Sequence, residues 1–431
     1  MPTLKTVTLG CKVNQYETQY AREGLARLGY RDAADGETAD LCLVNTCTVT
    51  AEADRKSRKL IRQLARENPG TRIVVMGCYA TRKPEEAASL PGVVDVVTDK
   101  RDLPDWLVRF GLAEAPAGIT FFGERSRAYV KIQDGCRMNC AYCIIPKTRP
   151  VLQSRPIDEV VGEIGSLVER GYREIVLTGI HLGHYGVDLD GVDLDDATDT
   201  AGTTNLARLL RRLAVLDGEF RVRLSSIEAA EVTDEVLDAM AEHPARICPH
   251  LHVSMQSGSD AVLRRMRRRW TGGELLDHCR KIQQRLDQPA LTTDVIVGFP
   301  GETEADFEAT CRAVEEVGFA KIHVFRFSPR PGTAAAEMGD RVPADVQRER
   351  AARLAQIESR LRTAYFESLL GRDLEVLVEG TAGDRSGTLV GTSARYVPVE
   401  LAGPTEWIGR LVCVKAEKVV EGGIWGKSVD E

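Results

Sequence analysis

The run GCRMNCAYC, Gly135 to Cys143, decides how this chain is read. Cys136, Cys140 and Cys143 stand in a C-x3-C-x2-C spacing that brings three thiolates into one short loop, with no fourth. A closed structural zinc site uses four protein ligands, usually from two separated C-x2-C pairs, and no partner Cys or His pair stands nearby. Three thiolates around a four-iron cluster instead leave one iron open to a substrate or cofactor. Tyr142, just before the last cysteine, puts an aromatic ring in the same loop, where it can pack on an adenine.

The chain around this loop has 431 residues, enough for two or three domains with cores of their own. Hydrophobic residues make up 43% and charged residues 28%, an ordinary globular balance. No apolar run approaches the roughly 20 residues of a membrane span. The opening MPTLKTVTLGCK lacks a basic patch followed by an apolar segment, so no signal peptide is expected. The eleven cysteines are therefore expected in a reducing cytoplasm, serving metal or redox chemistry rather than disulfides. A net charge of −7 gives no global signature for nucleic acid, so any RNA surface must be a local patch.

The first hundred residues alternate strand-like and helical patterns. TVTLG (6–10) ends at Cys11, DLCLVNTC (40–47) ends in Cys47, and RIVVMGC (72–78) ends in Cys78. Helical spacing of Ala21, Leu25 and Leu28, and then of Leu60, Ile61 and Leu64, fills the intervals. Near-continuous apolar strands with intervening helices predict parallel βαβ units. Residues just past parallel strand ends converge on one sheet edge, so Cys11, Cys47 and Cys78 form a second candidate set of three thiolates. Cys42 lies inside its strand and is read as core.

From Arg127 to Phe327 six strand-like runs follow, AYVKIQ, EIVLTG, FRVRLSS, HLHVSM, TTDVIVG and KIHVFRF. Helices are expected near 157–170, 205–216, 232–243, 272–286 and 303–317. Repeated βα units of this number predict an incomplete (β/α)6 barrel with its function at the C-terminal strand ends. In GFPGET (298–303) Thr303 can cap the next helix, but position 306 is Asp rather than the Glu or Gln of a capping box. After Gly371, LEVLVEG, GTLVGTS, RYVPVEL and LVCVKAEKVV predict a small antiparallel β-barrel, and a charged helix over 342–370 connects it to the larger one.

Two basic runs are candidate RNA surfaces. RKSRKLIR (55–62) follows the Cys47 loop, and LRRMRRRW (263–270) carries five arginines beside Trp270, an aromatic available for stacking. The Asp-rich segment 188–200 does not match a calcium-loop spacing and is read as a solvated insertion.

The words of the sequence resemble a family. GCRMNCAYC is similar to the signature of the radical S-adenosylmethionine (SAM) superfamily, in which the open iron chelates SAM and one electron cleaves it to a 5′-deoxyadenosyl radical. TLGCKVNQYET, NTCTVTAEADRKSRKLIR and GCYA, together with GCRMNCAYCIIP, resemble the methylthiotransferases of that superfamily. GCKVNQYET and NTCTVT look like the branch acting on N6-threonylcarbamoyladenosine beside the tRNA anticodon. Branches acting on isopentenyladenosine or on a ribosomal-protein aspartate typically read GCQMN or GCPKN.

The resemblance implies two [4Fe-4S] clusters, one on Cys136, Cys140 and Cys143 and an auxiliary, sulfur-carrying one on Cys11, Cys47 and Cys78. It implies two SAM molecules and adenine-contacting turns at GFPGET and SPRPGT (328–333); beside Tyr142, the residues just past the barrel strand ends, Gly179, Ser226, Glu228, Gln256 and Gly298, are the candidate SAM contacts. It also implies an electron donor such as a flavodoxin or ferredoxin, and a monomer on a tRNA anticodon stem-loop. Domains are expected over 1–112, 122–365 and 368–431, the last resembling the RNA-binding TRAM barrel. That tail carries eleven acidic against seven basic residues over 367–431, which argues against strong phosphate binding. Two other readings stay open: the same chemistry on isopentenyladenosine or a protein side chain, and a non-catalytic iron–sulfur protein that binds RNA and senses redox state.

Overall fold

The computed structural model describes residues 1–123, 126–189, 205–383 and 387–429. Most of the Asp-rich segment read as an insertion lies outside the described residues. The N-terminal strands β1 (Thr3–Thr8), β2 (Arg31–Asp32), β3 (Leu41–Thr46), β4 (Arg72–Gly77) and β5 (Val93–Val96) form one parallel sheet in the order β2-β1-β3-β4-β5. Every residue of β3 is buried, as the continuous apolar run predicts for a strand covered on both faces. Helix α1 (Lys12–Arg27) buries Tyr16, Tyr20, Ala21 and Leu25. Helix α2 (Ala51–Glu67) starts at Thr50, whose hydroxyl accepts from the Ala53 amide at 3.1 Å, and buries Ile61 and Leu64.

The middle of the chain forms a curved wall. Strands β6 (Arg127–Asp134), β7 (Gln153–Ser154), β8 (Glu174–Gly179) and β9 (Arg221–Leu224) make one sheet in the order β7-β6-β8-β9. A second sheet holds β10 (Ser226–Ile227), β11 (His250–Val253), β12 (Ala290–Val297) and β13 (Lys321–Arg326) in chain order. Apart from antiparallel β7, all pairings are parallel, and a bridge from Val222 to Ile247 joins the two sheets. The run FRVRLSS is thus not one strand. It breaks at Ser225, and its two pieces pair with different neighbours, which is where the wall bends. The predicted barrel helices fall at 157–169, 205–214, 234–242, 272–285 and 304–317. Thr303 does cap the last of these in a full capping box, because the shorter Asp306 carboxylate still reaches back to the Thr303 amide at 2.9 Å.

A closed barrel ends the chain, with β14 (Asp373–Thr381), β15 (Thr388–Ser393), β16 (Pro398–Ala402), β17 (Leu411–Val420) and β18 (Gly423–Ser428) in the order β14-β15-β16-β18-β17. It docks on the N-terminal ends of the wall strands. Glu174, fully buried, pairs with Arg221 and Arg223, whose guanidinium groups also donate to the main-chain carbonyls of Glu375, Thr392, Ser393 and Ala394. Tyr396 lies against His250 and under Arg223. Residues 392–396 therefore hold the C-terminal barrel against the wall. Among the described residues no helix is long and apolar enough to cross a membrane.

Candidate active site

The loop carrying Cys136, Cys140 and Cys143 leaves β6 through Gly135, whose φ of +80° and abutment on the Val151 carbonyl admit no Cβ. The loop is pinned by the Cys136 amide donating to the Arg149 carbonyl at 3.1 Å and the Ala141 amide donating to the Met266 carbonyl at 2.9 Å. All three cysteines line one cavity of about 190 Å³. Each sulfur meets a donor: the Met138 amide at 3.4 Å from Cys136, Arg268 at 3.4 Å from Cys140, and the Ile145 amide at Cys143. Burial pushes the free Cys143 thiol up to about 12, so its thiolate form depends on a metal.

Of the other sequence-predicted residues, Tyr142, Ser226, Glu228 and Gln256 line the same cavity. Gln256 holds a left-handed φ of +68°, a strained conformation that turns the chain at the cavity wall. Gly179 and Gly298 stand apart from the lining. Gly179 packs on Gln133, and a Cβ at Gly298 would overlap Gln347 of the helix Ala344–Ser368, so close helix packing is what position 298 requires. In SPRPGT, Arg330 is buried against Asp54 of α2 at 2.8 Å and joins the first sheet to the wall.

Arg268 corrects the reading of the second basic run. The helix Asp260–Arg265 ends there, Arg267 turns the chain with a φ of +59°, and Arg268 swings into the cavity with its side chain 3% exposed. It pairs with Glu228, reaches Tyr142 at 3.4 Å, and lies 3.9 Å over Trp270, whose ring is thereby buried rather than free for stacking. Burial keeps the Glu228 pKa above the ordinary carboxylate range despite this partner. Arg264, Arg265, Arg267 and Arg269 remain exposed.

Sequence reasoning missed His181, which lines the cavity with Nδ1 3.5 Å from Cys136 Sγ and Nε2 on Glu231. His184 stacks on it at 3.8 Å. Burial alone would lower the His181 pKa, but the Cys136 sulfur and the Glu231 carboxylate together raise it to about 10. The only signal in the sequence was the His-x-x-His spacing within TGIHLGH.

Cys11, Cys47 and Cys78 follow β1, β3 and β4, neighbours in the sheet, and feel one another electrostatically at its edge. Here too donors face sulfur: the Asn14 amide at Cys11, the Thr48 and Val49 amides at Cys47, and Arg149 Nε at 3.5 Å from Cys78. Among the described residues the groups with ligand atoms all within 4.8 Å of one another are His181, His184, Glu231 and His252, Asp294, His323, not the cysteine triads. Thiolates on one tetrahedral zinc would sit roughly 3.8 Å apart. Neither triad brings its three sulfurs within 4.8 Å of one another, so neither has the spacing of a mononuclear site.

Family models match in two places: the radical SAM superfamily over residues 130–314 and the uncharacterized protein family UPF0004 over 3–99. The threonylcarbamoyladenosine tRNA methylthiotransferase MtaB of Bacillus subtilis is 38% identical, covering 97% of this chain and 94% of that protein. The protein of the same name from Thermotoga maritima is 36% identical over 98% of this chain and 96% of its own length. The chain belongs to the MtaB-type radical SAM methylthiotransferases. A tRNA-2-methylthio-N(6)-dimethylallyladenosine synthase from Corynebacterium urealyticum is 36% identical over 88% of this chain and 73% of that protein. Among solved structures, the radical SAM methyltransferase TsrM of Kitasatospora setae superposes with a TM-score of 0.52 at 16% identity, covering 78% of this chain and 77% of that one, a likeness of fold. Membership brings a [4Fe-4S] cluster and SAM as cofactors.

Proposed function

We propose that this enzyme methylthiolates C2 of N6-threonylcarbamoyladenosine next to the anticodon of tRNA in the cytoplasm. The observation that carries the reading is the pair of separate three-thiol sets in a chain 36–38% identical to MtaB proteins over nearly its whole length. Cys136, Cys140 and Cys143 would hold the cluster that, when bound, would supply the electron for SAM cleavage, and Cys11, Cys47 and Cys78 would hold an auxiliary cluster that would carry the sulfur to be methylated and inserted. The chain's own part is to seat SAM and the base between these sets. Tyr142 packs beside the adenine of SAM, Ser226 and Gln256 offer hydrogen bonds at the cavity wall, and Arg268 with Glu228 supplies a fixed charge pair. Exposed Arg55, Lys56, Lys59 and Arg62 on α2 form a basic stripe beside the Cys47 loop, suited to the RNA backbone. The domains run over 1–112, 122–365 and 368–431, the donor is a flavodoxin or ferredoxin, and the enzyme acts as a monomer.

Nucleoside mass spectrometry of tRNA from cells lacking the gene tests the substrate: the 2-methylthio form of threonylcarbamoyladenosine should vanish. Loss of the isopentenyl derivative instead would overturn the reading. Two triple Ala variants test the site. Replacing Cys136, Cys140 and Cys143 should remove about half the iron and all SAM cleavage. Replacing Cys11, Cys47 and Cys78 should leave SAM cleavage and abolish the methylthio product.

A further inference from the structure

Three neighbouring parallel strands bring His252 of β11, Asp294 of β12 and His323 of β13 together. One ligand atom of each lies within 4.8 Å of the other two. In-register residues of parallel neighbours point to the same side of a sheet, and Asp294 is in register with His323. His252 is in register with Ser226, which lines the cavity, so the three side chains stand on the cavity's face of the wall. The main-chain carbonyl of Asp294 also accepts at 2.8 Å from the amide of cavity-lining Gln256.

The spacing of His252 and Asp294 is not that of a hydrogen bond. His252 Nε2 and Asp294 Oδ1 are 3.4 Å apart. A charged N–H···O contact spans about 2.7–2.9 Å, whereas two ligands held about 2.0–2.1 Å from a tetrahedral zinc stand about 3.3–3.4 Å from each other. The other ring nitrogen of His252, Nδ1, is 3.0 Å from the Thr292 hydroxyl, which is in turn 3.3 Å from Nε2 of buried His250. Thr292 can accept from His252 Nδ1–H and donate to His250 Nε2. That leaves a lone pair on His252 Nε2 beside the Asp294 carboxylate, and it is the support a metal-bound imidazole receives from behind. His323 is exposed and among the described residues makes no hydrogen bond or ion pair, so its ring is free to close on the same point. Lys321, the cation beside it, is paired with Glu358 at 3.0 Å.

We propose that His252, Asp294 and His323 form a site for one divalent ion of the zinc class, separate from both thiol sets. Two imidazoles and a carboxylate suit zinc or ferrous iron rather than magnesium or calcium, which take oxygen ligands. Three protein ligands leave a fourth position open, on the cavity's face of the wall, for an oxygen of water or of the molecule seated there. The site does not depend on which base the enzyme modifies.

The test uses the full chain with its iron–sulfur clusters reconstituted, washed with chelator and dialysed against zinc. Both metals are counted by mass spectrometry, and the zinc environment is read by X-ray absorption. Wild type should keep its iron and take up one zinc per chain, with a first shell of nitrogen and oxygen at about 2.0–2.1 Å. His323→Leu should lose that zinc at unchanged iron. Thr292→Val removes only the support behind His252 and should weaken zinc binding about 10- to 100-fold. No zinc uptake, uptake only in exchange for iron, or a shell of sulfur at about 2.3 Å would overturn the site. So would a zinc that survives His323→Leu, or one that binds Thr292→Val as tightly as wild type. His323 is exposed, so its replacement strips no core contact, and Thr292→Val decides the matter even if that variant does not fold.

Discussion

Arg149→Met should destabilise the joint between the first sheet and the barrel wall by about 3–5 kcal/mol, the usual cost of removing one partner from a buried ion network. The Arg149 side chain is 2% exposed and fully engaged. It donates to Glu17 at 2.7 and 2.8 Å, Asp134 at 2.7 Å, Asn14 at 3.1 Å and Cys78 Sγ at 3.5 Å. Lys131 is the other cation in contact, at 2.9 Å from Glu17. Methionine fills most of the volume but leaves two buried carboxylates sharing one ammonium. At a urea slope of about 3 kcal/mol/M this loss lowers the unfolding midpoint by about 1–1.7 M. The pH dependence gives a second handle. In wild type, burial alone would raise Glu17 and Asp134, but Arg149 and Lys131 hold both below the ordinary carboxylate range. Their stabilisation is therefore complete above about pH 4 and is lost as pH falls further. In the variant the unpaired carboxylate has its folded-state pKa raised instead, so its penalty is relieved on acidification. The midpoint difference should narrow between pH 7 and pH 5. A shift under 0.3 M at pH 7, or one independent of pH, would refute the reasoning.

Gly135→Ala forces a left-handed φ on a residue whose Cβ overlaps the Val151 carbonyl, and should cost the protein its loop geometry. Iron analysis after reconstitution should show about half the wild-type iron; full iron would show that the loop tolerates the change. Glu174→Gln leaves buried Arg223 without its carboxylate partner and Arg221 with Glu375 alone, at about 3–5 kcal/mol. Limited proteolysis should then cut faster around residues 369–373, where the connecting helix meets the C-terminal barrel. Because its arginine partners hold the Glu174 pKa well below the usual carboxylate range, the difference from wild type should shrink as pH falls below about 4.

Continuous apolar strands made the first sheet legible: LCLVNT has no polar face, and its burial on both sides follows. The edge strands β2 and β5 span two and four residues and leave no period to detect. In the last barrel β18 was hidden because Gly423 and Gly426, which allow close approach to Pro398 and Lys415, dilute the strand pattern. Within the site, the cysteines were legible because their positions at strand ends repeat. Arg268 was not, since a charge run reads as a helix face unless the backbone reversal at Arg267 is known. The dyad of His181 with Glu231 spans 50 positions of sequence and meets only after the wall has folded.

The two thiol sets share one electrostatic device, and the difference between its two copies separates a joint from a binding site. Each set gathers three cysteines, and in each an arginine reaches one sulfur: Arg149 at Cys78 and Arg268 at Cys140. Arg149 is locked by two carboxylates bidentately and stands between the sheet and the wall, so its capacity is spent on holding those parts together. Arg268 has one carboxylate, Glu228, and its Nε and the neighbouring Trp270 Nε1 are buried without a partner. Unsatisfied buried donors cost free energy until something accepts from them. Arg268 lines the cavity of Cys136, Cys140 and Cys143, so that cavity is where a polar ligand could meet it. The fold thus ties the arginine of one set into its framework and leaves the arginine of the other facing a cavity.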